Sequence, residues 1–122
     1  MKRNNVVREK SYSFALRIVQ LYRWLSEKQR EYVLSKQILR SGTSIGANVE
    51  EAIGSQSKKE FIFKIGIAYK EARETCYWLN LLYSGGYIKG AAFKSVVADC
   101  EEILRILGTI IKTMKKQLVI KG

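Results

Sequence analysis

The sequence predicts an all-α fold: an antiparallel up-down-up-down four-helix bundle, in one domain spanning residues 1–122. Three observations predict it. Proline is absent, where average usage would give about six, so nothing in the chain interrupts a long helix. Apolar residues recur at alternating spacings of four and three along four separate segments. The breaks between these segments are short polar or glycine-bearing turns, which join antiparallel neighbours in a bundle.

The first helix is expected over about residues 11–27, with Phe14, Ile18, Leu21 and Leu25 on one stripe and a basic arm, residues 1–10, ahead of it. Lys28, Gln29 and Arg30 form the break. The second is expected over about residues 31–53, with Leu34, Ile38, Ile45, Val49 and Ala52 on its apolar face and Gly54 as its stop. Ser57-Lys58-Lys59-Glu60 has the form of a capping box, so the third helix begins there. It runs through Phe61, Ile65, Ala68, Ala72, Cys76, Leu79 and Leu82 and ends before Gly85-Gly86. The fourth is expected over about residues 90–118. Its seam is Cys100, Leu104, Leu107, Ile111, Met114 and Leu118, with Val96, Ile103 and Ile110 as a second apolar line beside it. A face this wide suits both a bundle core and an interface with another chain. Residues 119–122 are expected as a short basic tail.

The formal charge is +11, concentrated at the ends. Residues 1–10 carry Lys2, Arg3, Arg8 and Lys10 against Glu9; residues 103–122 carry Arg105, Lys112, Lys115, Lys116 and Lys121 with no acid. Such placement suits a polyanionic partner, with Arg3, Arg8, Lys10, Arg105, Lys112, Lys115, Lys116 and Lys121 as candidate nucleic-acid contacts. The alternative is a basic protein kept dispersed by self-repulsion. Arg105, Lys112 and Lys116 project from one side of the fourth helix, opposite its seam.

Much chemistry is excluded. With no histidine there is no Glu-x-x-His di-iron motif, no His-rich zinc site and no Ser-His-Asp arrangement. Cys76 and Cys100, the only cysteines, are too few for a disulfide scaffold or a Cys-only metal site and are expected as buried free thiols. No catalytic residue, metal or cofactor is assigned. No apolar run approaches the ~18 residues of a membrane span, and the first ten residues lack the apolar stretch of a signal peptide, so a cytoplasmic protein is expected.

The stretch RSGTSIGANVEEA, residues 40–52, holds the most unusual pattern. GTSIGA invites comparison with a phosphate loop, but no Gly-Lys-Ser/Thr follows it and no strand precedes it. Read as helix, Gln37, Ser41, Ser44, Asn48 and Glu51 form a polar seam beside the apolar stripe. Gly42 and Gly46 lie one turn apart, and each costs ~1 kcal/mol in a helix interior relative to alanine, so close packing is expected to recover that cost. A polar network between the second and third helices is expected from Gln37, Arg40, Ser44, Asn48, Glu51, Glu71 and Glu74, with Arg73 a further cation, fixing register rather than performing chemistry. Paired carboxylates suit Mg²⁺, yet nothing else in the pattern asks for it. Tyr69, Tyr77, Trp78 and Tyr83, interleaved with Lys70 and Arg73, suit base stacking, although core and interface packing is the favoured reading.

QILRSGTSIGANVEEA followed by EFIFKIGIAYKEARETCYWLNLL resembles the four-helix-bundle family of 23S rRNA intervening sequence proteins. The resemblance extends from Phe14 to about Leu107 and is most specific in SIGAN followed by E-A and in I-A-x-K-E-A-x-E-T-x-Y-W-L. Its motif positions fall on Gln37, Arg40, Ser44, Ile45, Asn48, Glu51, Glu71, Glu74 and Trp78. Lys70-Glu71 stands where many members have Gly-Ser, which resembles a Lys-Glu branch, and Glu50 stands where a basic residue is common. The resemblance implies a cytoplasmic bacterial bundle that assembles into a ring, typically a homopentamer, with no established catalysis. A related branch, the accessory protein of diversity-generating retroelements, is a basic pentamer that binds nucleic acid and a reverse transcriptase. Two functions follow as expectations: a non-enzymatic homo-oligomer binding RNA or DNA through basic surfaces, or a protein-interaction scaffold docking an acidic partner such as a reverse transcriptase.

Overall fold

The computed structural model describes the backbone of residues 2–121 and the side chains of residues 5–119. The described residues form four helices: α1 (Lys2–Glu27), α2 (Leu34–Ile53), α3 (Lys58–Ser84) and α4 (Gly90–Lys121). Each packs antiparallel to the next and α4 returns to α1, giving the expected bundle; the α1–α4 side is the most loosely closed.

The core is the sum of the four stripes. Phe14, Ile18 and Leu25 of α1 meet Ile38, Ile45, Val49 and Ala52 of α2, and Ile65, Ala68, Ala72, Leu79 and Leu82 of α3 continue the layer. Burying each large apolar side chain contributes about 1.5–3 kcal/mol, and the small alanines let α3 approach its neighbours. On α4 the buried row is Val96, Cys100, Ile103, Leu107, Ile110 and Met114. It therefore takes alternate members of the seam and of the second line, leaving Leu104, Ile111 and Leu118 half-buried at the edge. The helix turns its apolar face to the core between the two expected lines, not along one of them.

Helix ends differ from expectation where capping is indirect. α1 begins at Lys2 because its stripe continues backwards through Ser11 and Val7, both buried. The residues expected to form a basic arm are thus its first turns, and α4 takes up the expected tail as far as Lys121. α2 begins at Leu34, not Glu31. Arg30 adopts a positive φ of 52° and returns the Glu31 N–H to the Leu25 carbonyl, so Glu31 lies outside the helix. Its carboxylate then accepts from the N–H groups of Val33, Leu34 and Ser35, at 3.2, 3.0 and 2.7 Å, and caps α2. α3 starts as read: Ser57 Oγ accepts from the Glu60 N–H at 3.1 Å, and Glu60 reaches back to the Gln56 N–H. Gly86, with φ of 84°, makes the left-handed turn after α3.

Candidate nucleic-acid interface

The expected polar network forms in part. Arg40 Nη2 donates to Glu74 Oε2 at 3.1 Å, and Trp78 Nε1 donates to the same oxygen at 3.0 Å. Below them a pair that the sequence reading did not join, Ser41 and Thr75, shares a fully buried hydrogen bond of 2.9 Å. The remaining members separate. Ser44 and Asn48 donate to carbonyls of their own helix, Gln37 is exposed, and Glu51 accepts from Lys64 at 2.8 Å rather than joining Glu71 or Glu74. Glu71 Oε2 is the buried side-chain polar atom without a hydrogen-bond partner among the described residues. Arg73 is exposed and takes part in no ion pair among the described residues. These contacts fix the register of α2 on α3 and gather no group of three or more metal-ligating side chains among the described residues.

The candidate cations fall into two sets. On α1, Arg8 is held by both oxygens of Glu50 and Lys10 by Glu102 at 3.1 Å, so both are engaged within the bundle. Arg17 pairs with Asp99, so this pair and Lys10–Glu102 tie α1 to α4, while Arg8–Glu50 ties α1 to α2. On α4, Arg105, Lys112, Lys115 and Lys116 are all exposed, and none takes part in an ion pair among the described residues. The side chains of Arg3 and Lys121 lie outside the described residues.

Lys115 differs from its neighbours by bordering a groove. Between α3 and α4 runs an open depression of about 640 Å³, lined by Phe63, Gly66, Tyr69, Lys70, Arg73, Gly108, Ile111 and Lys115 among others. Its floor is shallow in side chains because two glycines face it. A methyl group on Gly108 would touch Tyr69 at 3.5 Å, and one on Gly66 would meet nothing within 4 Å. Phe63 is 64% exposed at the rim, and three cations stand along the edges. An apolar trough edged by positive charge matches the two faces of a nucleic-acid strand, bases and phosphates.

Of the aromatics weighed for stacking but expected as core and interface packing, Tyr69 lines this groove half-buried. Tyr77 and Trp78 pack edge to face at 5.0 Å, and Tyr83 stacks on Phe93 at 4.3 Å. Phe63, Gly66 and Gly108 were not singled out from the sequence. Phe63 carries a legible signal, since it falls off the stripe of Phe61, Ile65 and Ala68 and sits seven residues from Lys70.

The model of the family described as 23S rRNA-intervening sequence protein matches residues 3–109. Comparison with curated proteins finds no match. Among solved structures, the chain is similar to a Bacteroides thetaiotaomicron protein described as of unknown function, from the S23 ribosomal protein family. The two share 54% identity and a TM-score of 0.89, over 90% of this chain and 98% of that one.

Proposed function

The chain belongs to the 23S rRNA-intervening sequence protein family, and from that premise we propose that it is a non-enzymatic, cytoplasmic homo-oligomer that binds RNA or DNA through the α3/α4 groove and the outer face of α4. The observation that carries this reading is the coincidence of unpaired cations with an exposed aromatic trough. Arg105, Lys112, Lys115 and Lys116 lie beyond Glu102, the last acid in the chain, and Lys115 reaches the groove that Phe63 and Tyr69 line. Phosphates neutralised by these cations release counterions, and bases stack on the ring faces.

Exposed apolar side chains support self-association. Tyr12 and Leu16, one turn apart on α1, are 68% and 50% exposed, and Tyr77 and Leu81 are exposed one turn apart on α3. In a closed oligomer every subunit repeats the basic groove, so modest contacts combine by multivalency. The description of the Bacteroides relative agrees with an RNA setting while leaving its function open. Reversing Lys112, Lys115 and Lys116 to glutamate tests the surface. The triple variant keeps its helical circular dichroism and loses filter retention of RNA and DNA at low salt; retention equal to the parent's overturns the assignment.

A further inference from the structure

Cys76 of α3 and Cys100 of α4 are 24 residues apart in sequence, yet their Sγ atoms lie 3.0 Å apart. That is only about 1 Å longer than the ~2.05 Å of a disulfide bond. The pair is unequal. Cys100 is fully buried, accepts from the Cys76 thiol and donates its own proton to the Ala72 carbonyl at 3.3 Å, whereas Cys76 is half-buried at the seam.

Contact divides the two thiols chemically. Once Cys76 ionises, the Cys100 S–H can turn from the Ala72 carbonyl to the thiolate, and that hydrogen bond holds Cys76 below the ordinary thiol range, against the opposing effects of burial and Glu101 and with help from Arg73. The same bond, and then burial, push the Cys100 thiol up. The more accessible sulfur therefore yields its proton more readily, with a protonated partner already in contact. An attacking thiol beside a resolving thiol has this arrangement.

We propose that Cys76 and Cys100 are a two-electron redox site, oxidised by hydroperoxides to an intramolecular disulfide that ties α3 to α4 and restored by small thiols. The Cys76 thiolate attacks one oxygen of hydrogen peroxide and breaks the O–O bond. Cys76 becomes a sulfenic acid, and the departing hydroxide recovers the proton that Cys76 released. Cys100 sulfur then attacks Cys76 sulfur; the S–S bond forms, the S–O bond breaks, and the hydroxyl leaves with the Cys100 proton as water. Two thiols and one peroxide give one disulfide and two waters, with the thiols supplying both electrons. This reaction is independent of nucleic-acid binding, although Cys76 lies one turn from Arg73 and the bond would pin the seam from which the groove opens.

Intact-mass analysis of the full chain tests this. Reduced protein is exposed to a small excess of hydrogen peroxide, denatured and alkylated with N-ethylmaleimide. The expected product is a monomeric chain lighter by two hydrogens with neither cysteine alkylated; dithiothreitol restores two alkylation sites. Cys100→Ser, whose hydroxyl can still donate to the Ala72 carbonyl, stops at a sulfenic acid on Cys76 that dimedone captures. Two alkylatable thiols after peroxide, disulfides only between chains, or a sulfinic acid on Cys76 with Cys100 untouched would each overturn the proposal.

Discussion

Gly42 on α2 faces Ile18 on α1 so closely that a methyl group built on it would lie 2.8 Å from both Cγ atoms of the isoleucine. Ile18 is fully buried and β-branched, so it has no easy rotamer into which to retreat. Gly46, one turn further on, is different: its added methyl would sit 3.5 Å from the Ser11 carbonyl oxygen, an ordinary contact. Gly42→Ala should therefore cost about 1–3 kcal/mol by overpacking. Gly46→Ala should instead gain up to ~1 kcal/mol of helix propensity. Urea unfolding followed by circular dichroism separates the two, and equal effects would show that close approach does not explain Gly42.

The Ser41–Thr75 hydrogen bond makes a register test. Thr75 is fully buried, and its replacement by valine keeps the shape while leaving the buried Ser41 hydroxyl with only a long 3.5 Å contact to the Ile38 carbonyl. Thr75→Val should cost about 1–3 kcal/mol, the penalty of stranding a buried polar group. Adding Ser41→Ala should recover most of that loss. A double-mutant cycle with no coupling would mean that the two hydroxyls act separately.

Glu31 gives α2 a pH-dependent start. Burial pushes its carboxyl up, but the backbone N–H groups of Leu34, Ser35 and Val33 outweigh that effect and hold it below its usual 4.5. A carboxylate whose pKa is lower folded than unfolded contributes stability that is complete above the unfolded value and is lost as pH falls through the folded one. Glu31→Gln should cost about 1 kcal/mol at neutral pH, as loss of a helix cap does. The gap between variant and parent should close as pH falls below 4.5, measured by thermal unfolding across a pH series. A gap that persists in acid would assign the cost to packing.

How legible each feature was follows from whether its cause is local. α3 was readable to its ends because Ser57, Glu60 and Gly85-Gly86 act within one turn of themselves. The starts of α1 and α2 were not: α1 is extended by the burial of Val7, a tertiary event, and α2 is capped by a residue outside its helix. The polar seam was visible as a spacing, yet its pairings depend on register. Glu74 draws Arg40 and Trp78 together while Glu51 finds Lys64. For the same reason the Cys76–Cys100 contact and the facing glycines Gly66 and Gly108 emerge only once α3 is laid on α4.

Phe63 separates stacking from charge. It is 64% exposed on the groove rim, so Phe63→Ala removes a base-stacking surface without emptying the core. Affinity for single-stranded nucleic acid should fall by about 1–3 kcal/mol per stacked base. The salt dependence should stay as in the parent, because no phosphate contact is lost. Anisotropy titrations with labelled RNA and DNA strands read both quantities, and a changed salt dependence with unchanged affinity would contradict the stacking role.

The most direct test of the account is the salt dependence of nucleic-acid binding in the parent and in Lys112→Ala/Lys115→Ala/Lys116→Ala. For a single strand, the logarithm of the binding constant should fall linearly with the logarithm of salt concentration, with a slope of about −0.7 per phosphate neutralised. Each lysine that contacts a phosphate should account for about 0.7 of that slope, so the three together for about two units. Nucleic-acid binding through these lysines gives a steep parental slope and a clearly shallower one in the triple variant, with weaker binding to every sequence tested. Binding indifferent to salt, or a slope that the three substitutions leave unchanged, would contradict it.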